Sequence, residues 1–342
     1  MAEFARKLVL WQRRHGRHGL PWQGTRDPYR VWLSEIMLQQ TQVAAVIPYY
    51  ERFLARFADI AALAAASEDE VLQLWSGLGY YARGRNLLRA AREVARQGAF
   101  PGTAESIQAL PGVGPSTAAA IAVFAFGQRA AILDGNVKRV LARCFGIEGE
   151  KAQWALAAKL LPARGIETYT QALMDLGATV CTRANPACAR CPVSKDCVAL
   201  RENRIAELPS ARKRKPLPLR RATWLVLLHQ GSVLLERRPS AGIWGGLWAF
   251  PELISGLPEE FCRKVLGCEV KQSLRLLEIE HGFTHFKLRV QPFRCTVRKI
   301  LPRAEAPGRI WLDLDDAIRA AVPTPVKKLL LELSGPAVRR PG

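Results

Sequence analysis

CTRANPACARCPVSKDC, residues 181–197, carries four cysteines within seventeen positions. Cys181, Cys188, Cys191 and Cys197 place four thiols on one short loop, where they can surround one metal centre. A structural zinc site is expected to show two Cys-x-x-Cys pairs or histidines, whereas this loop has one such pair and no nearby histidine. Four thiolates suit a [4Fe–4S] cluster, in which each iron takes one sulfur. A zinc site and four unrelated buried cysteines are the alternatives.

The chain is long and strongly basic. Its 342 residues include 50 Lys and Arg against 30 Asp and Glu, which gives a formal net charge of +20. Such a charge is typical of proteins with a polyanionic partner, whose phosphates supply the attraction, although a generally basic proteome would also explain it. The length predicts two domains, and a hydrophobic content of 49% excludes a disordered basic tail.

The sequence shows no targeting signal and no apolar stretch approaching about 20 residues, the length of a membrane span. Its N-terminal segment, residues 1–19, is predicted to form a basic amphipathic helix. The other four cysteines follow no disulfide pattern: Cys144, Cys262, Cys268 and Cys295. We therefore expect a reducing, cytoplasmic compartment.

The chain changes character near residue 205. Helical apolar spacing precedes this point, in residues 28–54, 69–97, 104–109, 115–126, 136–145, 152–161 and 168–178. Residues 206–222 form a basic, proline-containing linker. Strands follow at 223–228 and 233–235, joined by a turn at Gln230-Gly231, and at 274–280, 286–297 and 310–312, with helices near 314–321 and 325–334. The predicted fold is multidomain, α and then α+β, with a helical domain at 1–205 and a small α/β domain at 223–342.

The motif Leu110-Pro-Gly-Val-Gly-Pro115 lies between two predicted helices. Gly112 and Gly114 permit a tight turn with outward-pointing backbone N–H groups, and the next helix adds its positive N-terminus. This helix-hairpin-helix arrangement binds phosphate without a charged side chain. An ordinary Gly-Pro connection is the alternative, but the basic charge and the thiol loop favour the phosphate-binding interpretation.

Five segments, in order, resemble the adenine DNA glycosylases of the MutY type, within the endonuclease III superfamily. They are VWLSEIMLQQTQ (31–42), GLGYYAR (77–83), LPGVG (110–114), ILDGNV (132–137) and the four-cysteine loop. The resemblance is dense over residues 5–200 and looser beyond. It implies a helix-hairpin-helix glycosylase domain with a [4Fe–4S] loop, followed by a Nudix-like domain.

The resemblance also implies a function. A member of this family hydrolyses the N-glycosidic bond of adenine mispaired with 8-oxoguanine or guanine in double-stranded DNA, leaving an abasic site. We expect a monomer in a bacterial-type cytoplasm, associated with the nucleoid through DNA. The alternatives are an endonuclease III-like or thymine-mismatch glycosylase and a non-catalytic iron–sulfur DNA-binding protein.

Glu35 is the candidate general acid. Its helical neighbours Val31, Trp32, Leu38 and Gln39 include no cation, so nothing nearby holds it ionised. A protonated carboxyl beside a purine can donate to N7 and make the base a leaving group. A surface glutamate is the alternative.

Asp134 is the candidate second carboxylate, although its local sequence also fits a helix N-cap. The resemblance implies that its charge stabilises the oxocarbenium-like sugar, with Asn136 in the same catalytic set. Lyase members of the superfamily carry a nucleophilic lysine at the position of Ser116. The chain is therefore predicted to be monofunctional.

The remaining expected contacts are with DNA, since adenine must be flipped out of the duplex. The predicted binding residues are Trp22, Gln39, Gln40, Tyr80, Gly112, Val113, Gly114, Ser116 and Arg183. An exposed helical face is the alternative for Gln39 and Gln40. Core packing is the alternative for Trp22 and for Tyr80, with Tyr81 able to take that place.

The second domain resembles a Nudix fold, but its nearest match to the magnesium-binding helix, residues 256–264, lacks the Arg-Glu-x-x-Glu-Glu core. We expect a binding module without hydrolase activity. Its predicted reader of 8-oxoguanine is Phe283-Thr284-His285, where the family usually has Phe-Ser-His. An ordinary strand turn is the alternative.

Overall fold

The computed structural model describes residues 2–210, 216–240, 242–301 and 306–335. The chain forms two compact units: Met1–Ala66 with Asn86–Lys213, and Ser67–Arg85 with Arg214–Gly342. The linker predicted at 206–222 lies partly outside the described residues, at 211–215, and its end was wrong, because residues 219–222 already belong to a strand. In the part of the chain that is described, every helix is too short or too polar to cross a bilayer.

In the residues that the structure describes, twelve α-helices precede the sheet. They are α1 (Ala2–His15), α2 (Pro28–Leu38), α3 (Val43–Arg56), α4 (Ile60–Ala65), α5 (Glu68–Trp75), α6 (Ala82–Gln97), α7 (Ala104–Gln108), α8 (Pro115–Phe126), α9 (Gly135–Phe145), α10 (Glu150–Lys159), α11 (Ile166–Asp175) and α12 (Val198–Arg201). The predicted helices between residues 104 and 178 are confirmed to within a few residues.

Two long predicted helices were wrong, because each is broken in the middle. Residues 28–54 form α2 and α3, separated where Gln40 adopts a left-handed φ of +58°. Residues 69–97 form α5 and α6, separated by a loop in which Gly77 and Gly79 have positive φ. Apolar spacing continues across both breaks, so periodicity alone joined the helices.

Helix α8 lies at the centre of the first unit. Ala118–Val123 are all buried, and small side chains there let neighbouring helices approach closely. The helix ends at Gly127, whose left-handed φ of +65° closes the C-terminus. The core around α8 is completed by side chains such as Leu8, Val137 and Tyr169.

Within its described residues, the second unit contains a seven-stranded sheet in which the main order is β3-β2-β1-β6-β4, while β5 pairs with β6 and β7 pairs with β2. The strands are β1 (Leu219–His229), β2 (Ser232–Arg237), β3 (Trp248–Ala249), β4 (Cys268–Arg275), β5 (Ile279–Gly282), β6 (Lys287–Ile300) and β7 (Arg309–Asp313). Helices α13 (Pro258–Phe261), α14 (Leu314–Arg319) and α15 (Thr324–Ser334) accompany them. Strands β1 and β6 are parallel, and the other pairs are antiparallel.

The hairpin at Gln230-Gly231 is confirmed, since both residues have positive φ and join β1 to β2. The single strand predicted at 274–280 was wrong. Strand β4 ends at Arg275 and β5 begins at Ile279, and both pair with successive parts of β6. Between them Leu277 is 91% exposed, so its apolar side chain is not part of a strand facing the core.

Candidate active site

Glu35 lies in the middle of α2, whose N-terminus is capped by Asp27 accepting the amide of Tyr29 at 2.9 Å. Most of α2 is buried, and the Glu35 side chain is itself partly buried. Burial, together with a smaller contribution from the negative charge of Asp134, raises the pKa of Glu35 to about 8. Glu35 is therefore mainly protonated at neutral pH, in agreement with the expectation from its neighbours.

Asp134 is the N-cap of α9 and accepts the amide of Val137 at 2.7 Å. Burial raises the pKa of Asp134, while the amides of Val137 and Asn136 oppose that shift by binding the ionised form. The N-cap alternative is thus correct, and it does not compete with a role in chemistry. The cap fixes the carboxylate where its charge acts on Glu35.

Asn136 is held by Arg139, a residue that the sequence did not single out. Arg139 Nη2 donates to Asn136 Oδ1 at 2.8 Å and to the carbonyl of Gly177 at 2.6 Å. Its Nε donates to the carbonyl of Cys181 at 2.7 Å. A Cβ on Gly177 would lie 2.6 Å from that of Asn136, so glycine is required for this approach. No local signal marks Arg139, because an arginine in a helix usually faces solvent.

The two glycines of the hairpin differ in their structural requirements. Gly112 has a φ of +80°, and an added Cβ would lie 2.8 Å from Asn86. Gly114, the N-cap of α8, has a φ of −88° and open space around it. Val113 is buried, and its amide donates to Leu110 at 3.2 Å, so that amide is used within the turn.

Ser116 connects the hairpin to the segment that carries Asp134. Its Oγ accepts the amide of Leu133 at 2.9 Å, one residue before that carboxylate. Gln39, at the end of α2, also approaches the hairpin, since its Nε2 lies 3.3 Å from Thr117 Oγ1 and 3.4 Å from the carbonyl of Gly112. Helix α2, the hairpin and the start of α9 therefore meet around one site.

Two of the predicted base contacts have contrasting surroundings. Gln40 is exposed in a left-handed conformation, which is costly for a residue other than glycine and often occurs at functional sites. Trp22 is 9% exposed and packs edge-to-face on Tyr50, with ring centroids 5.4 Å apart. This geometry favours the core-packing alternative for Trp22, and its contact with adenine stays a prediction.

The four cysteines of the loop, all free, line one small pocket together with Arg143. The buried side chain of Arg143 shapes this loop. Its Nη1 donates to the carbonyl of Thr182 at 2.7 Å and lies 3.6 Å from Cys181 Sγ, while Nη2 donates to the carbonyl of Arg183 at 3.1 Å. Four thiols around a cavity, with a buried cation beside them, fit an anionic iron–sulfur cluster.

Among the residues that the structure describes, no group of three or more His, Cys, Asp or Glu side chains converges on a point where one ion could be held. A polynuclear cluster takes one thiolate per iron and does not need such convergence. The side chains of Arg183 and Arg190 are exposed on the same loop.

The predicted reader lies at a tight turn of the second unit. The amide of Phe283 donates to the carbonyl of Phe286 at 2.9 Å, and the two rings stack with centroids 4.4 Å apart. Thr284 and His285 form the exposed tip between them. Of the predicted trio, Phe283 is thus an anchor, and only the tip residues face outward.

Tyr80 belongs to the same unit as the reader. Its φ is +49°, its side chain is 48% exposed, and its hydroxyl lies 3.4 Å from Thr284 Oγ1. Tyr81 is buried and lies with its hydroxyl 3.5 Å from the carbonyl of Val322. Tyr81 is therefore the tyrosine that packs in the core, and Tyr80 lies exposed beside the tip.

Residues 33–162 match the HhH-GPD superfamily of base excision DNA repair proteins, and residues 223–332 match the NUDIX domain. The adenine DNA glycosylase of Buchnera aphidicola subsp. Baizongia pistaciae (strain Bp) is 36% identical over 338 residues, which cover 96% of each chain. The adenine DNA glycosylase of Homo sapiens is 35% identical and covers 97% of this chain and 74% of that one. The structure of a thermostable thymine-DNA glycosylase aligns with a TM-score of 0.55 at 31% identity, over 58% of this chain and 96% of the other.

A protonated carboxyl beside a capped aspartate, next to a helical hairpin in an HhH-GPD fold, defines a base-excision DNA glycosylase. This enzyme binds DNA and hydrolyses an N-glycosyl bond. At 36% identity over 96% of its length, the chain belongs to the adenine DNA glycosylase family.

Proposed function

We propose that the enzyme removes adenine paired with 8-oxoguanine or guanine, and that it hydrolyses the glycosidic bond without cutting the strand. One observation carries the chemistry: Glu35 has a pKa of about 8 and is close enough to Asp134 for that charge to contribute. Two carboxyl groups in different states of ionisation are what an acid and an electrostatic stabiliser require.

The reaction follows from these two groups. Glu35 donates its proton to N7 of the flipped adenine, so the base departs without carrying a negative charge. The Asp134 carboxylate stabilises the positive charge that develops on the sugar. Water then adds at C1′ and its released proton restores the acid form of Glu35, so the products are free adenine and an abasic site. Because Asn136 Oδ1 is engaged by Arg139, its amide N–H groups are available to orient the DNA.

We propose that strand cleavage is absent because position 116 offers no amine. The hydroxyl of Ser116 instead accepts the amide of Leu133 and supports the segment that leads to Asp134. A lyase reaction needs an amine that forms a Schiff base with the sugar. The same hairpin, with Gly114 and the N-terminus of α8 open to solvent, would bind a phosphate of the DNA.

We propose that Cys181, Cys188, Cys191 and Cys197 hold a [4Fe–4S] cluster. When bound, the cluster would cross-link the loop and fix its exposed arginines, Arg183 among them, where phosphate can be contacted. Arg143 would balance part of the negative charge and Arg139 would attach the loop to α9 through the carbonyl of Cys181.

We propose that the Nudix-like domain recognises the base opposite adenine and is not a hydrolase. Thr284 and His285 at the exposed tip would hydrogen-bond to 8-oxoguanine, and Tyr80 would wedge into the stack beside them. On the short helix α13, Glu260 pairs with Lys264 at 2.5 Å, so this carboxylate already has a cation partner.

A panel of duplexes tests this proposal. Adenine opposite 8-oxoguanine, adenine opposite guanine and thymine opposite guanine are incubated with the enzyme, and each sample is divided before alkali is added. The thymine duplex belongs in the panel because a thymine-DNA glycosylase is among the similar structures. We expect breaks at adenine, only after alkali and fastest opposite 8-oxoguanine. Breaks without alkali would indicate a lyase, and a preference for thymine would overturn the substrate assignment.

A further inference from the structure

A column of packed aromatic side chains runs through the reader turn. The Trp244 ring lies 5.4 Å from that of Phe283, which stacks on Phe286 at 4.4 Å with an angle of 20° between the planes. The guanidinium of Arg220 lies over the Phe286 ring, 4.4 Å from its centroid. The tip residues Thr284 and His285 connect the two phenylalanines, so the column sets their position.

The Trp244 end of the column is fixed by the backbone. Trp244 has a φ of +55°, a conformation that is strained for a bulky residue and persists only where surrounding contacts enforce it. The amide of Leu247 donates to the Trp244 carbonyl at 3.0 Å, and the amide of Gly246 donates to Arg238 at 3.2 Å. A Cβ on Gly245 would collide with the backbone of Ser240.

The Arg220 end is exposed and charged. Two other arginines of the domain have carboxylate partners: Arg289 pairs with Glu280 at 2.5 Å, and Arg298 pairs with Glu269 at 3.0 Å. The contact of Arg220 is instead an aromatic ring. A cation–π contact with a ring occupies no carboxylate, and the guanidinium donors can still bind the paired oxygens of a phosphate.

We propose that Arg220 binds a DNA phosphate beside the base that the tip contacts, and so positions the reader on the lesion-containing strand. This rests on the lesion-reading function proposed above. One end of the column is fixed by the Trp244 loop and the other is anchored to the DNA backbone. The phosphate contact sets the register, and the tip supplies the specificity.

The salt dependence of binding by the full-length protein tests this contact. The probe is a duplex with a stable abasic analogue opposite 8-oxoguanine, and its affinity is measured by fluorescence anisotropy from about 50 to about 200 mM salt. Arg220→Gln is expected to make the slope of log K against log salt shallower by about 0.9, the value for one phosphate. Arg220→Lys keeps the charge and should keep the slope.

Arg221→Gln is the matched control. Arg221 is the next residue of β1, equally basic and exposed, and it points to the opposite face of the strand. The slope of log K against log salt for Arg221→Gln should equal that of the wild type. Arg220→Met, which keeps an apolar stem over Phe286, should reproduce the slope of Arg220→Gln if charge rather than folding is responsible.

An unchanged slope for Arg220→Gln, or an equal change for Arg221→Gln, would overturn the proposal. Excision by the wild type opposite 8-oxoguanine and opposite guanine is measured in parallel. If the wild type prefers 8-oxoguanine but the slope does not change, only the Arg220 contact fails. If the wild type shows no preference, the lesion-reading function fails as well.

Discussion

Glu35 and Asp134 are both partly buried, and burial raises both pKa values, yet their surroundings separate them. Asp134 accepts the amide of Val137 at 2.7 Å, a bond that favours the ionised carboxylate. Glu35 is surrounded by the apolar side chains of α2, and its second influence is the like charge of Asp134. These surroundings support the proposal that Glu35 is the acid and Asp134 the stabilising anion.

Glu35→Gln tests the proton donor. The amide keeps the shape of the side chain but has no transferable proton, so excision should fall by roughly 10²–10⁴-fold while DNA binding is retained. Single-turnover excision and anisotropy measure the two effects. Glu51→Gln, at an exposed position on α3, is the control and should behave as the wild type does. Near-normal excision by Glu35→Gln would exclude Glu35 as the acid.

The pH dependence tests the same group without mutation. Since the pKa of Glu35 is raised to about 8, its proton is present below that pH and is lost above it. The single-turnover rate should therefore be steady near neutral pH and decrease as pH rises through about 8. A rate that increases over this range would mean that the ionised form of Glu35 is the active one.

At the scale of elements, the sequence pattern predicted helices and turns correctly where interactions between nearby residues determine them. The hairpin at Gln230-Gly231 and helix α8 were predicted because turn residues and alanine-rich spacing act over a few positions. The breaks after α2 and α5 were missed, since apolar spacing continues through both. The division between β4 and β5 was also missed, because it depends on pairing with β6, which is distant in the sequence.

The helix-hairpin-helix gives a matched pair of stability predictions. Gly112→Ser introduces a side chain at a φ of +80° and 2.8 Å from Asn86, so it should lower the free energy of unfolding by about 1–3 kcal/mol. Gly114→Ser places the same residue at an N-cap with open space around it, where serine is a favourable cap. Chemical denaturation should show a lower free energy of unfolding for Gly112→Ser but not for Gly114→Ser. Equal losses would contradict this account of the turn.

At the scale of the whole molecule, the residues that link distant segments were invisible in the sequence. Arg139 and Arg143 bind carbonyls of the cysteine loop, and this becomes evident only when α9 and that loop are seen together. The loop itself was found at once, because four cysteines in seventeen residues are a strong local signal. Candidate ligands and acids could thus be predicted, while the groups that position them could not.

The iron content and colour of the purified protein test the proposed metal centre. Purified protein should be yellow-brown and contain about four iron atoms per chain, with broad visible absorption. Cys191→Ser should lower the iron content, the solubility and the DNA affinity together, because the loop also presents Arg183 and Arg190. Cys295→Ser, in the core of the second unit, should leave the iron content unchanged. A colourless, zinc-loaded and fully active preparation would overturn the cluster assignment.

The lesion reader is best tested by point substitution in the full chain. Gln73 and Ser76 donate to the carbonyls of Arg319 and Val322 at 2.8 and 3.0 Å, so truncation after residue 215 would also disturb Ser67–Arg85. Thr284→Ala with His285→Ala should slow excision opposite 8-oxoguanine about ten- to a hundredfold more than opposite guanine. This ratio corresponds to the roughly 1–3 kcal/mol of binding free energy that hydrogen bonds to one base edge contribute. Equal slowing on both duplexes would mean that the turn does not read the lesion.

The most direct measurement is product analysis on one duplex with adenine opposite 8-oxoguanine. Chromatography quantifies free adenine, and denaturing gels of the same samples quantify strand breaks before and after alkali. The account predicts one free adenine for each alkali-sensitive site and an intact strand without alkali. Strand breaks without alkali, or alkali-sensitive sites with no adenine released, would contradict hydrolysis of the adenine glycosidic bond by Glu35 and Asp134.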